Sequence, residues 1–474
     1  MITVRTLSGR SAINLAAPDC TRLAQEAGCV LPFQHLDMPL LWWDCFNPGD
    51  GEDFPKKRGT NFLGTWSRPQ SLRLLVAMDG SAVVGAVPVV SYLVRVPREE
   101  KPVRVVTFAG DVQLMSPQDF TVSAETRREA LRAMLDALTG SLEGEDDIVL
   151  FPYVAGDSPN IGELRSYLDE ASARGYGCLA ALTGRRGGVK PWTVDAILSC
   201  LRQIADRVPC PSEKDRVKHL IDDLSACPHM KLMFPRNGRE YEEKVRAVIG
   251  SVGEEHVPAH VNESLEMLLA DAPVIYPFID LPGDRDTYMG SLGKSTRANT
   301  QNMRNRFARA GGRVERIPSS QIVDQDIDDY LTLHNMRWGD DSASLKSDAS
   351  YRFHADLCRA LSSRGVLTLF FAQIEGRRIA SNSCIDIGGR REAYLTGRDP
   401  AYDRWSAGRL VFVESILDAI DRGFTRYDMG HGWVEYKMAY AGSYMNTWNF
   451  FLSPRRKPED FERIYQGYEC IISS

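Results

Sequence analysis

The chain has 474 residues, of which 43% are hydrophobic and 25% charged, and this composition excludes a fully disordered, collagenous or disulfide-scaffold protein. Its net charge of −6, from 57 basic and 63 acidic residues, argues against duplex nucleic acid as the main partner, because such proteins usually carry a basic excess. The ten cysteines lack metal-ligand spacing and the longest apolar run, residues 82–94, is too short to span a bilayer, so we expect a soluble cytoplasmic protein without a metal site.

The first predicted unit, residues 1–183, has an α/β pattern. It opens on an aromatic helix entry at residues 32–43, and a Gly/Pro/Lys-rich loop follows at residues 47–65. Asp79-Gly80 separates two runs of β-forming residues, which is the strongest short-range signal for a hairpin. The remaining predicted elements of this unit are a strand near 104–108, a helix near 124–142 and a buried strand at 147–153.

A helical insertion is predicted next, over residues 184–267. Three helical stretches, at 193–208, 213–225 and 239–252, are interrupted by Pro209, Pro211 and Pro228. This segment interrupts the α/β pattern, which resumes with a second unit at residues 268–474.

The second unit repeats the order of the first: helices, hairpin, strand, helix, strand. This shared order suggests an internal duplication. Turn signals at Glu375-Gly376 and Gly388-Gly389 separate three of its strands. Its predicted strands are 273–280, 366–374, 377–387, 391–397, 426–429 and 447–452, and its predicted helices are 287–310, 324–338, 350–364 and 407–422.

The predicted strand 391–397 is followed by a loop, and the next helix begins at Ser406-Ala407-Gly408-Arg409. Small residues at a helix start leave backbone N–H groups accessible, and the helix dipole favours a pyrophosphate there. This pattern fits an acyl-CoA site. Alternatively, Ser406 is only an N-cap and Gly408 a packing residue.

A second group of chemically active residues follows the next strand. Asp428, His431, Glu435, Tyr436 and Lys437 place proton-transfer and anion-binding groups within ten residues, and the glycines among them permit a sharp turn and close approach by a substrate. This density indicates a functional loop.

The predicted helix at 287–310 is strongly basic, with no acid between Lys294 and Val314. Such a charge run is either a solvated face or an anion-binding surface, for a CoA phosphate, a nucleotide-linked sugar or tRNA. At the end of the next helix, Trp338 either stacks on a substrate or packs in the core, and core packing is the more ordinary role.

These motifs together resemble a known domain. The pattern, over residues 273–455, is similar to the GNAT-like acyltransferase domain of CelD-type cellulose and exopolysaccharide biosynthesis proteins, and the first unit resembles that family's N-terminal half, which is related to Fem-type aminoacyl transferases. The motifs that carry the resemblance are Tyr288-x₃-Leu-x-Lys-x₂-Arg, Met336-Arg-Trp, Ile379-Ala, Tyr394, Ser406-Ala-Gly-Arg-Leu, Asp428-x-Gly and Gly432-x₃-Tyr-Lys. The chain departs from the family in its insertion after Gly184 and in having Ala407-Gly408 where members often show Pro-Gly.

The resemblance implies an α/β (α+β) fold of two GNAT-like units. Each would be a mixed, mostly antiparallel sheet flanked by helices, and the helical insertion would join them. The first unit is expected to be degenerate and to help form the acceptor cleft, whereas the second would hold the acyl donor against Ser406, Ala407, Gly408 and Arg409.

The chemistry of acyl transfer then suggests roles for individual residues. Attack on a thioester needs a base, a polarised carbonyl and an acid for the leaving thiolate. We expect Asp428 to be the base, Tyr394 or Tyr436 the acid, and Lys437 the group that stabilises negative charge. The residues expected to bind substrate are Arg337, Trp338, His431 and Glu435.

The predicted function is transfer of an acyl group from acyl-CoA, or from an acyl carrier protein, to an amine or hydroxyl of a polar small molecule such as an amino sugar or amino acid derivative. Such a reaction belongs to bacterial polysaccharide or secondary-metabolite biosynthesis, and it needs no tightly bound cofactor. One alternative is Fem-like transfer from aminoacyl-tRNA, favoured by the basic helix. Another is a catalytically silent scaffold in a biosynthetic complex.

Overall fold

The structure is a computed structural model of the whole chain. Its described residues are 2–47, 71–94, 101–110, 117–142, 147–182, 184–185, 191–226, 239–252, 256–257, 272–273, 275–338, 345, 348–430, 435–458, 460–461 and 464. The predicted loop at residues 47–65 lies outside this set apart from Asn47.

The first half of the molecule contains seven strands and four helices among its described residues. The strands are β1 (Ile2–Ser8), β2 (Ser71–Asp79), β3 (Ala82–Val94), β4 (Val103–Phe108), β5 (Thr121–Val122), β6 (Asp147–Ala155) and β7 (Gly177–Leu182). The helices are α1 (Arg10–Glu26), α2 (Asp37–Phe46), α3 (Arg127–Gly140) and α4 (Ile161–Ala173).

Three helices follow, and we call them the helical module: α5 (Pro191–Arg207), α6 (Pro211–Ala226) and α7 (Arg239–Val252). Prolines stand at the first position of α5 and of α6, where their missing N–H costs nothing. The module is flanked by a two-stranded ladder of β8 (Gly184–Arg185) and β9 (Ala272–Pro273). The three predicted helices are confirmed.

The second half contains the remaining elements. Its strands are β10 (Ile275–Asp280), β11 (Arg313–Pro318), β12 (Leu367–Ile374), β13 (Arg377–Ile387), β14 (Arg390–Arg398), β15 (Arg426–Asp428) and β16 (Ser443–Ser453). Its helices are α8 (Arg285–Ser291), α9 (Lys294–Arg309), α10 (Asp324–Trp338), α11 (Asp348–Ser363), α12 (Ala407–Asp421) and α13 (Glu435–Met438).

The strands of both halves form one large, mostly antiparallel sheet in the order β1-β2-β3-β4-β6-β16-β10-β15-β14-β13-β12-β11, with β5 beside β3 and β7 beside β16. Strand β16 joins the halves, because its first residues pair with β10 and its later residues pair with β6 and β7. The predicted α/β architecture with helices flanking a mostly antiparallel sheet is confirmed.

Each half contains the same local topology. In the first half, the β2–β3 hairpin is followed by β4, α3 and β6, and β6 runs parallel to β4. In the second half, β12–β13 is followed by β14, α12 and β15, and β15 runs parallel to β14. The order predicted from the sequence for both units is therefore present, including the only two parallel strand pairs between named strands of the described residues.

The two halves differ where the parallel strands separate. In the first half, the segment at 117–122 fills that space: Gln118 bridges to Val154, and the Phe120 ring lies 5.3 Å from the Phe108 ring and 4.9 Å from the Phe151 ring. Phe120 is buried among these rings. No comparable plug lies between β14 and β15 in the part of the second half that the structure describes.

The predicted turns have the backbone conformation that the sequence demands. Glu375 and Gly376 have φ of 54° and 75°, and Gly388 and Gly389 have φ of 58° and 76°. Two successive positive φ values match the twist of a two-residue hairpin and favour glycine. The α10 bounds agree with the predicted helix at 324–338.

The prediction of one continuous basic helix at 287–310 is wrong. The structure has two helices, α8 and α9, because Leu292 and Gly293 adopt extended ψ values of 147° and 144°. The Asp284 side chain caps α8 by accepting a hydrogen bond from the Thr287 N–H at 2.8 Å. Gly293 then serves as the N-cap residue of α9.

The two faces of the sheet in the second half are covered by different helices. On one face α12 packs with α8 and α9 over residues such as Phe307, Phe370 and Tyr427. On the other face α10 and α11 share a core with α1 and α2 of the first half, where the Phe46 and Phe353 rings are 5.5 Å apart. No helix in the described part of the chain is long and apolar enough to cross a membrane.

Candidate functional site

The candidate site lies where β14 and β15 part. Their ladder ends at the pair Glu392–Asp428, and β14 continues to Arg398 paired with β13. The chain after β15 passes close to β14, because a Cβ on Gly430 would lie 3.0 Å from the Ala393 carbonyl oxygen. Gly430 also has a φ of 70°, so both space and conformation require glycine here.

A buried arginine fixes β14 against α12. The Arg391 side chain is fully buried and donates hydrogen bonds to both carboxylate oxygens of Asp386, at 2.7 and 2.8 Å. It also donates to the Asp418 carboxylate at 2.7 Å and to the Ser415 carbonyl at 3.1 Å. The C-terminal half of α12 is therefore held against β14 by a network of charge-assisted hydrogen bonds.

Ser406 directly precedes α12, in a segment that we call the Ser406 turn (residues 406–409), and its side chain does not cap the helix. Ser406 adopts the left-handed conformation, with φ 53° and ψ 37°, and its side chain makes no cap hydrogen bond. The first amides of a helix have no carbonyl partner within the helix, and no acidic residue stands in the first turn of α12. Ser406 therefore occupies the N-cap position without a side-chain cap, and the backbone N–H groups of Ala407, Gly408 and Arg409 form the start of the helix. Whether this segment binds a donor or only begins the helix stays open.

Arginines from three elements surround this helix start. A Cβ on Gly408 would lie 3.3 Å from the Arg398 side chain, which also pairs with Asp403. Burial lowers the pKa of Arg398, and the charge of Arg337 lowers it further. Arg337 on α10, Arg398 on β14 and Arg409 on α12 thus provide positive charge at the N-terminus of α12.

Contrary to the expectation of core packing, Trp338 lies at the surface. It is 39% exposed, and the Arg337 guanidinium lies 4.5 Å from the centre of its ring. The reason is that α10 ends at this residue, beyond the part of the helix that packs on β14. Its exposed ring is available for stacking, so its predicted role in substrate binding stays a prediction.

Tyr436 lies beside α12. Its ring is perpendicular to the Phe412 ring, with 5.4 Å between the centroids. Burial raises the pKa of the Tyr436 hydroxyl to about 12, against the opposing charges of Arg337 and Arg409. Tyr436 is therefore protonated at neutral pH, and the structure brings it together with Arg337 and Arg409.

The Lys437 side chain extends toward the place where β14 and β15 separate. Its Nζ donates a long hydrogen bond of 3.5 Å to the Gly430 carbonyl. Burial lowers the pKa of Lys437 to about 8, and the Glu392 carboxylate acts in the opposite direction. Glu392, which the sequence did not single out, is therefore part of the site. The signal that could have found it is the strand register, because Glu392 stands opposite Asp428.

Tyr394, two residues along β14, lies on the α11 side. Its hydroxyl is 3.3 Å from Nδ1 of the buried His354, and burial raises its pKa well above the usual value. The Glu392 charge raises the pKa of Tyr394 further. Tyr394 and Lys437 therefore share Glu392 as an electrostatic neighbour. His354 was not found by sequence reasoning, since it lies in an ordinary amphipathic helix.

Asp428 is held in an ion-pair network that crosses to the first half. Arg426 Nε donates to Asp428 Oδ1 at 2.7 Å, and Arg426 Nη1 donates to Asp157 Oδ2 at 2.8 Å. Burial raises the pKa of Asp428, while Arg426 lowers it. The predicted role of Asp428 as base stays a prediction.

A cleft opens beside this network, with a cavity volume of about 480 Å³. It lies at the junction of the two halves. Its lining residues are Gly156, Asp157, Phe278, Arg426, Tyr444, Met445, Asn446 and Trp448. The Arg165 guanidinium stacks 4.0 Å from the Trp448 ring centre, and the buried Asn446 Oδ1 has no hydrogen-bond partner among the described residues.

Two predicted substrate-binding residues are not tested by the structure. His431 lies outside the described residues, as does the side chain of Glu435. Among the residues that are described, no group of three His, Cys, Asp or Glu is arranged to hold a metal ion.

The part of the chain that carries this site matches a known domain family. Residues 294–438 match the model described as "Acetyltransferase (GNAT) domain". The matched range begins at the first residue of α9 and ends immediately after Lys437. It includes all the predicted site residues. The prediction of a GNAT-like acyltransferase domain is confirmed, while its CelD type and a role in exopolysaccharide biosynthesis stay predictions.

Several solved structures are similar over most of the chain at low identity. FemX is 11% identical, with 83% of this chain and 90% of FemX covered and a TM-score of 0.41. A conserved protein of unknown function from Bacteroides thetaiotaomicron is 11% identical, with 92% and 97% covered and a TM-score of 0.44. A tandem GNAT protein from the clavulanic acid biosynthesis pathway is 10% identical, with 96% and 99% covered and a TM-score of 0.36. No curated protein matches the chain.

Proposed function

We propose that the protein transfers an acyl group from acyl-CoA to an amine or hydroxyl of a polar small molecule. The observation that carries this proposal is the arrangement of the uncapped α12 N-terminus, with its arginines, next to Tyr436 and Lys437 at the parting of β14 and β15. The GNAT match over the same residues supports it.

The donor end of the proposed site is the start of α12. Backbone N–H groups and the helix dipole favour a pyrophosphate there, and Arg337, Arg398 and Arg409 add positive charge. The backbone of Ser406, Ala407, Gly408 and Arg409 would hold the phosphates. An acyl carrier protein, whose prosthetic arm also carries a phosphate, is a second donor of the same chemistry.

The transfer step uses the polar residues between the strands. The acceptor nitrogen or oxygen attacks the thioester carbon, a new C–N or C–O bond forms, and the C–S bond breaks. The Lys437 ammonium stabilises the negative charge that develops on the carbonyl oxygen, and the protonated Tyr436 supplies a proton to the leaving thiolate. Asp428, next to Glu392 in the register, takes the proton that the acceptor loses.

The acceptor is proposed to bind in the cleft between the halves. Arg426 connects this cleft to Asp428, since it lines the cleft and donates to that carboxylate. The buried Asn446 oxygen is available to accept a hydrogen bond from an amine or hydroxyl, and Tyr444 and Trp448 offer aromatic surface. This lining fits a polar molecule such as an amino sugar or amino acid derivative.

Calorimetric titration with acetyl-CoA, followed by a thiol-release assay with amino sugars and amino acid derivatives as acceptors, tests the proposal. Saturable binding and acceptor-dependent thiol release are expected. A protein that binds no acetyl-CoA and instead binds tRNA with a steep salt dependence would be a tRNA-dependent transferase. A protein that does neither would be a scaffold.

A further inference from the structure

The helical module contacts the second half at the segment that carries Lys437. Met438, the residue after Lys437, is 7% exposed and packs in the same apolar cluster as Leu201, Val217 and Val245 of the module. Ala441 and Tyr444 pack against this cluster from the same segment. The module therefore buries the chain immediately beyond Lys437 and reaches the cleft wall at Tyr444.

The short helix α13 needs such support. A helix of one turn has no stability of its own, because nucleation fixes several residues for one hydrogen bond. On one side it is held through Tyr440, whose carbonyl accepts from the Tyr288 hydroxyl at 3.2 Å and whose hydroxyl lies 2.8 Å from Thr300 Oγ1. On the other side, the contact is Met438 in the module cluster.

Lys437 directly precedes these two anchors in the chain. Its own carbonyl accepts hydrogen bonds from the N–H groups of Tyr440 and Ala441, at 3.0 and 2.9 Å, so the backbone at Lys437 is tied to the anchored residues. Its side chain extends to the Gly430 carbonyl. A shift of Met438 would move the Lys437 ammonium relative to Gly430 and Glu392.

We infer that the helical module is a positioning element of the transfer site, in which Met438, buried among the module's apolar residues, holds the Lys437 ammonium at the parting of β14 and β15. The inference rests on the proposed function for the role of Lys437 in transfer. It assigns to the module a task within the site, whereas a docking surface would leave Lys437 unaffected by the module.

Competitive labelling with acetic anhydride tests the position of Lys437 without relying on activity. The labelling of each lysine is followed by mass spectrometry across pH in the full-length protein. In the wild type, Lys437 is expected to titrate near pH 8, because it is buried. In Met438→Ala, the freed segment lets water reach the ammonium, so the midpoint should rise by about one pH unit or more. The Glu392 charge faces Lys437 from β14 in both proteins.

Two further variants separate positioning from general loosening. Met438→Leu keeps the apolar volume and should retain the wild-type labelling midpoint. Met134→Ala removes the same atoms from a fully buried position in the first half, and it should leave the midpoint unchanged. An unchanged midpoint in Met438→Ala, or an equal rise in Met134→Ala, would overturn the inference.

Kinetics supply the second readout. Met438→Ala should lower kcat about 10- to 100-fold with little change in the KM for acetyl-CoA, and Met438→Leu should restore it. A rise in that KM with kcat unchanged would contradict a positioning role. If the wild type releases no thiol with any acceptor, the proposed function fails, while the labelling result still decides whether the module positions Lys437.

Discussion

Replacing Lys437 with methionine should separate catalysis from stability. Methionine keeps most of the apolar length of the side chain and removes the ammonium that lies at the parting of β14 and β15. If the ammonium stabilises the developing oxyanion, kcat should fall by about 10²- to 10³-fold, which is the usual effect of removing one such group, about 3–4 kcal/mol. The fold should survive, because methionine fills most of the space that the lysine stem occupies.

The same substitution should stabilise the protein at neutral pH. Burial lowers the pKa of Lys437 from 10.5 to about 8, so the folded state binds fewer protons than the unfolded state between these values. The cost of holding the charged lysine is fully present below pH 8 and disappears above pH 10.5. At about 1.4 kcal/mol per pKa unit the cost is about 3 kcal/mol at full burial, and partial exposure of Lys437 reduces the expected gain to about 1–2 kcal/mol.

Thiol release from acetyl-CoA measures the first effect, and urea unfolding at pH 7 and pH 10.5 measures the second. Lys218→Met, at an exposed position of α6, is the matched control and should change neither quantity. Near wild-type kcat in Lys437→Met would remove Lys437 from the reaction. A loss of stability at pH 7 would refute the assignment of its lowered pKa to burial.

Substitutions at three other positions test other parts of the site. Gly408→Glu should weaken acetyl-CoA binding at least about tenfold in calorimetry, because it adds bulk and negative charge at the α12 N-terminus, whereas Gly408→Ala should bind nearly as well as the wild type; equal affinities for all three would show that the turn only begins the helix. Glu392→Gln removes the charge that raises the pKa of Lys437, so the alkaline limb of the pH–rate profile should move to lower pH, and an upward shift would contradict this. Arg391→Met should lower the free energy of unfolding by about 3–5 kcal/mol in urea, since it leaves two carboxylates without their buried partner; a change below about 1 kcal/mol would show that the network relaxes.

Much of the second half could be predicted from the sequence because its signals are local. The paired turns at Glu375-Gly376 and Gly388-Gly389 demand positive φ, and the runs between them are apolar enough to be strands. The helix at 324–338 was also predicted with the bounds that α10 has. By contrast, the break at Leu292-Gly293 was missed, since one glycine in a basic helical run gives no certain boundary.

The edge and connecting elements of the first half were harder to predict from the sequence. Strand β1 and the helices α1 and α4 were not predicted. The alternation of apolar and polar residues in β1 is short, because α1 begins directly after it. Its identity as a strand depends on pairing with β2, from Ile2–Asp79 to Ser8–Arg73. Such pairing joins residues far apart in the chain, which local patterns do not encode.

The candidate site was predicted in part. The sequence placed Tyr436 and Lys437 next to each other and marked the Ser406 turn, but it did not show that Arg337 approaches Tyr436 or that Glu392 approaches Lys437. These contacts depend on strand register and on the packing of α10 against β14. Asp428 lies within the predicted strand 426–429 and is the last residue of β15. Its ion pair with Arg426 and the link to the first half appear only in the folded chain.

The separation of β14 from β15 bears on how many donor sites the proposed function gives each chain. Phe120 and its neighbours fill the corresponding space in the first half, and filling it buries three aromatic rings that stabilise that core. The second half instead keeps the space and places Lys437 beside it at a cost in stability. We therefore propose one donor site for each chain, in the second half. In this proposal the first half contributes Asp157, and Arg165 beside Trp448, to the acceptor side. Calorimetry should therefore give one acetyl-CoA bound for each chain, and a second equivalent site would contradict this division.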